Sequence, residues 1–152
     1  MLASLLLAAA PQFGLQDPVQ VSARLEPEAA APGAEVELHV DFQLEPGWHL
    51  YHPAIDPLNG IAVSAAIPEG FEANGPIRTG LPPEIHELDI GDKTYAYEWL
   101  APGDGLIVPL RVMDGPAGSA DGKVEVGYQA CDDSSCLPPE TLAVSFDFTR
   151  LE

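Results

Sequence analysis

Period-two alternation of apolar and polar residues recurs along this chain, and no segment shows sustained helical periodicity. The clearest run sets Val36, Leu38, Val40, Phe42 and Leu44 against Glu35, Glu37, His39, Asp41 and Gln43. Successive side chains of a strand point to opposite faces, so this run predicts one buried face and one solvated face. Alternation also marks residues 19–25, 61–67, 94–100, 106–113, 123–128 and 142–148. Ala31-Pro32-Gly33, Glu45-Pro46-Gly47, Pro68-Glu69-Gly70, Pro102-Gly103-Asp104-Gly105 and Asp114-Gly115-Pro116 separate these runs as turns. About seven to nine strands at such spacing predict an all-β domain, an antiparallel β-sandwich of immunoglobulin-like kind. The connection over 71–93 is long for a compact domain. It is expected to be a functional loop or to hold a short strand around Ile77.

The chain's 152 residues suffice for one domain with its own core. Its 24 acidic residues against 6 basic ones leave a net charge of −18, which would repel nucleic-acid phosphates and anionic membrane surfaces. The charge serves solubility, or steers the protein toward a basic partner face. Residues 1–17 open with an apolar run ending in Ala8, Ala9 and Ala10 and predict a signal peptide with a short tail. The expected domain then spans 18–152, and no other run is long enough to span a membrane. This predicts a soluble exported protein in an oxidising, periplasmic or otherwise extracytoplasmic, compartment.

The two cysteines, Cys131 and Cys136, have four residues between them and lie in a loop-like stretch between two strand runs. A disulfide across so short a ring would stabilise the fold by only ~2 kcal/mol in the chain-entropy picture. Nor can such a pair tie two sheets together, as antibody-domain disulfides do. The position favours a local, exchangeable bond, although small loops also carry inert disulfides. Asp132 and Asp133 follow the first sulfur directly. Their charge disfavours a thiolate, so the pair is not expected to be a strong oxidant. A metal site would need both sulfurs with His49 and His52, but two histidines three apart on a strand face opposite ways. No nucleotide-binding loop, serine-nucleophile elbow or C-x-x-C motif is present. Trp48 or Tyr51 reads as a core aromatic, and so do Tyr95, Tyr97 and Trp99 on one strand face.

Three segments together are familiar. Tyr128-Gln129-Ala130-Cys131 through Cys136-Leu137-Pro138-Pro139-Glu140-Thr141 resembles the active-site segment of the N-terminal periplasmic domain of the DsbD thiol:disulfide interchange family. Pro46-Gly47-Trp48-His49-Leu50-Tyr51 and Ile67-Pro68-Glu69-Gly70-Phe71 resemble that family's glycine-aromatic strand and its next turn. The resemblance runs from about Val19 to Thr149. It implies an immunoglobulin-like sandwich with a redox-active pair, Cys131 and Cys136, and needs no cofactor. It implies that Tyr51, His49, Tyr128 and Asp132 line the site. It also implies a cap loop around Leu88, Asp89 and Ile90 that shields the pair until a partner docks. Cys131 is expected to be the partner-linked cysteine and Cys136 the resolving one. The family receives electrons from a membrane carrier and passes them to periplasmic thioredoxin-like or cytochrome c maturation thiol proteins. Here the donor is expected to be a separate membrane electron-transfer protein. The competing expectation is a non-enzymatic immunoglobulin-like binding or accessory domain with an inert disulfide.

Overall fold

The computed structural model describes residues 18–53 and 62–152. The expected signal segment (1–17) lies outside the described residues, as does Ile61 at the head of one predicted strand. Eleven strands follow in chain order, and none of the named elements is a helix. They are β1 (Val19–Glu26), β2 (Ala29–Ala30), β3 (Glu35–Leu44), β4 (Ser64–Ala65), β5 (Phe71–Ala73), β6 (Arg78–Thr79), β7 (Glu84–Ile90), β8 (Lys93–Trp99), β9 (Gly105–Val112), β10 (Gly118–Tyr128) and β11 (Glu140–Arg150). The count exceeds seven to nine because β2, β4 and β6 are two residues each, too short to show an alternation. The stretch 71–93 proves to be strands rather than a loop: it supplies β5, β6 and β7, with β6 beginning directly after Ile77.

Two sheets form the sandwich. One runs β1-β3-β9-β5, with β6 also on β9; the other runs β2-β11-β10-β4. All these pairings are antiparallel except the short β2–β11 contact. The alternation read along the chain is what fills the space between the sheets. Val36, Leu38, Val40 and Phe42 of β3 are buried, and so are Leu106, Val108, Leu110 and Val112 of β9. The facing sheet contributes Val124, Val126 and Tyr128 from β10 and Phe146 and Phe148 from β11. Gly122 makes room for that aromatic layer, since a Cβ there would fall 2.3 Å from the Phe146 ring.

A third, two-stranded sheet, β7–β8, stands apart from both layers. Its register pairs Glu84 with Trp99, His86 with Tyr97 and Leu88 with Tyr95. Cross-strand partners share a face, so one side of this hairpin gathers Trp99, Tyr97, Tyr95, Leu88 and Ile90. The base is tied down by backbone bonds to the segment that carries Leu50 and His52: the Leu100 N–H donates to the Leu50 carbonyl (2.8 Å) and the His52 N–H to that of Glu98 (2.9 Å). Buried Asp104 accepts from the backbone N–H groups of Gly80, Leu81 and Gly105 at 2.8–3.0 Å. That carboxylate fixes the turn before β9 to the chain that leads into β7.

Candidate active site

Cys131 and Cys136 are joined by a disulfide at one end of the sandwich, between β10 and β11. The ring is a small hairpin in its own right. The Leu137 N–H donates to the Ala130 carbonyl at 2.9 Å, and the Asp132 N–H to the Ser135 carbonyl at 2.8 Å. Asp132 closes the turn: its carboxylate accepts from the backbone N–H groups of Ser134 (2.9 Å) and Ser135 (2.7 Å). Those backbone hydrogen bonds, with help from the two serine hydroxyls, hold the Asp132 carboxyl below its ordinary range. Asp132 thus shapes the ring from within.

The two sulfur-bearing residues differ in exposure. Cys131 is 2% exposed, whereas Cys136 is exposed. Cys131 is also locked to His49 by reciprocal backbone bonds, His49 N–H to Cys131 carbonyl at 2.9 Å and the reverse at 3.1 Å. Pro46-Gly47 sets this up: Gly47 adopts φ 87°, and the chain leaves the turn as the segment that pairs with Cys131.

That segment buries Leu50 completely, while Trp48 and Tyr51 are only half-buried. Leu50 is therefore the fully buried residue of this cluster, with Trp48 packed against the edge of the core. His52 points away from the cysteines and bonds Thr79 Oγ1 at 2.9 Å. Tyr51 meets Tyr97 edge-on, with ring centroids 6.4 Å apart, and its burial against that ring raises its hydroxyl above the ordinary pKa. Tyr128 is a core side chain instead of a surface lining: it is 3% exposed, edge-on to Phe42, with its hydroxyl donating to Glu140 at 2.9 Å.

Trp99 and His86 enter the site without having been expected there. The imidazole of His49 stacks on the Trp99 indole at 3.5 Å between centroids, and that of His86 at 3.6 Å. Two rings cannot share one face of an indole at such spacing, so they clamp it from opposite sides. Burial lowers the His49 pKa; Asp133, Asp132 and Glu84 oppose that shift, and His86 adds to it. The reading of Tyr95, Tyr97 and Trp99 as core residues is corrected here. β7 is the one strand that pairs along β8, whose base alone meets the Leu50–His52 segment, and Tyr95 is 46% exposed.

The expected cap residues occupy the hairpin tip. Leu88, Asp89 and Ile90 end β7, Asp89 accepts a bond from the Thr94 hydroxyl (2.6 Å), and Gly91 turns the chain. Leu88 is 44% and Ile90 57% exposed, and Cys136 remains exposed with this hairpin in place.

Comparison with known proteins agrees with this architecture. No curated protein matches the sequence significantly. Among solved structures, the chain is similar to the N-terminal periplasmic domain of ScsB from Proteus mirabilis, with a TM-score of 0.54 and 14% identity. That alignment covers 89% of this chain and 48% of the ScsB chain, so this sequence spans about half the length of the structure it matches. A type I cohesin–dockerin complex from Clostridium thermocellum is matched at TM-score 0.43 and 12% identity, over 86% of this chain and 94% of that one. The profile of the family described as "Thiol:disulfide interchange protein DsbD, N-terminal" matches residues 16–147. On that match, which takes in both cysteines and the sandwich up to the last three residues of β11, the chain belongs to the DsbD N-terminal domain family.

Proposed function

We propose that this domain is an extracytoplasmic thiol:disulfide oxidoreductase that relays reducing equivalents through Cys131 and Cys136. It takes them from a membrane electron-transfer protein and gives them to thiol proteins of thioredoxin-like or cytochrome c maturation type. The observation that carries the reading is the asymmetry of the pair: one sulfur-bearing residue is buried and backbone-locked, the other is open to solvent. A mixed disulfide needs an accessible sulfur. The exposure order therefore favours Cys136 as the partner-linked cysteine and Cys131 as the resolving one, the reverse of the assignment made from sequence.

In the reduced domain, the Cys136 thiolate attacks one sulfur of the partner's disulfide. An S–S bond forms between Cys136 and the partner, and the partner's other sulfur leaves as a thiolate. The Cys131 thiolate then attacks Cys136. The intramolecular disulfide forms, the mixed one breaks, and the partner leaves as a dithiol. Two electrons have passed outward, and a donor dithiol restores the pair by the same exchange in reverse. Periplasmic location fits the compartment named for the similar ScsB domain.

Trapping tests the reading. Cys131→Ala keeps the exposed sulfur without its resolving partner, and is expected to accumulate mixed disulfides in a periplasmic extract. Cys136→Ala is expected to capture several-fold less. Capture by neither variant, together with a reduction potential below about −300 mV, would mark an inert structural bond and overturn the proposal.

A further inference from the structure

A groove of about 650 Å³ opens beside the disulfide ring. Trp48, His49 and Trp99 form its aromatic wall, and Glu45, Glu84 and Asp133 contribute carboxylates. Asp133 lies inside the Cys131–Cys136 ring, and His49 is backbone-paired to Cys131, so the groove adjoins the sulfur site itself. No Lys or Arg among the described residues lines it. The chain's few cations are placed elsewhere. Arg24, Arg78 and Arg111 form ion pairs with acids around β1, β3 and β9. Arg150 bonds the carbonyls of Met113 and Pro116. Among the described residues no arginine or lysine pairs with the groove carboxylates; Glu84 meets the His86 ring at 3.3 Å, and two indoles lie beside them.

We infer that this groove receives a lysine or arginine side chain of the thiol partner, borne close to the partner's reacting cysteine. The chemistry of the walls selects that occupant. A long cationic side chain lays its methylene stem along apolar surface and keeps its charge at the polar end. Aromatic rings attract cations, and so do carboxylates such as Glu45 and Asp133 that have no lysine or arginine beside them. An acidic segment would be repelled, and a purely apolar one would strip water from the carboxylates without replacing it. The half-buried Trp48 leaves surface free for this contact, whereas both faces of Trp99 are already taken by His49 and His86. The protein would therefore discriminate among thiol partners by the charge beside their cysteine, adding selectivity that the sulfur chemistry alone lacks. The identity of the occupant as a thiol partner rests on the relay reading above; the preference of the groove for a cation does not.

The chain's 2 tryptophans both line this groove, so intrinsic fluorescence reports on it directly. The oxidised protein is titrated with two short peptides, in which serine stands for the reacting cysteine and its neighbour is Lys in one and Glu in the other. The Lys peptide is expected to shift the emission saturably in the millimolar range and the Glu peptide not to. Glu45→Gln with Glu84→Gln should weaken the Lys peptide about tenfold. Glu28→Gln with Asp147→Asn, which removes equal charge elsewhere, should change it less than about twofold. Equal response to both peptides, equal loss in both double variants, or no response to either overturns the inference. Cysteine versions of the peptides, including a neutral one, are then followed for disulfide exchange. Exchange without a Lys preference removes the groove and leaves the relay. Lys binding without any exchange removes the relay and leaves the groove.

Discussion

The chemistry of this site turns on a difference between two residues of the same type. Nothing in the cysteine segment itself shows which sulfur is buried; the backbone pairing of Cys131 with His49, distant in sequence but adjacent in space, sets the two apart. That pairing is long-range, so nothing local in the cysteine segment announces it, whereas the short ring and the flanking Pro138-Pro139-Glu140-Thr141 were readable directly. His49 carries a second consequence. Its pKa is lowered from 6.5, chiefly by burial, so the folded chain resists protonating it more than the unfolded chain does. At high pH the residue is neutral in both states and costs nothing. As pH falls through 6.5, the unfolded state binds the proton first, and stability declines until the folded pKa is passed. Denaturation midpoints at about pH 7.5 and pH 5 should therefore drop further in the wild type than in His49→Gln. Equal drops would mean that the stacked imidazole is not the group responsible.

Strands that bury one face in the sandwich were legible, and so was β8 from its alternating aromatics, whereas β7 was not. β3, β9 and β11 write their burial as strict alternation because a second sheet lies against one side of each. β7 reads Glu84-Ile85-His86-Glu87-Leu88-Asp89-Ile90, with apolar residues on both faces, because its only strand partner is β8 and none of its residues reaches full burial. The hairpin is held at its base by the His49–Trp99–His86 stack, the Tyr51–Tyr97 contact and two backbone bonds. Removing the central ring should release it. Trp99→Ala is expected to speed amide hydrogen exchange across β7 and β8 by an order of magnitude or more, with β10 and β11 keeping their protection. Uniform loss of protection across all strands would instead make Trp99 part of the global fold. The same histidines that form the clamp were individually visible in the sequence; their common partner was not, since stacking across three separate segments leaves no spacing to read.

The molecule as a whole keeps its core apart from its disulfide. The core lies between the two sheets and the disulfide at one end, so reduction should leave the sandwich intact and lower its unfolding free energy by only ~2 kcal/mol. A cooperative unfolding curve of similar slope in both redox states is the expected observation; a reduced form that loses the sandwich would show the bond to be a staple. The backbone of the small hairpin explains why the sulfurs need not drift apart. Ala130 pairs with Leu137, Asp132 pairs with Ser135, and the Asp132 carboxylate gathers two further N–H groups, none of which depends on the S–S bond. The two thiols of the reduced state thus face each other at a high effective concentration fixed by the chain itself. In the proposed relay, the lifetime of a partner attached at Cys136 is set by a sulfur already in place, and so a covalent handover can be brief without being loose.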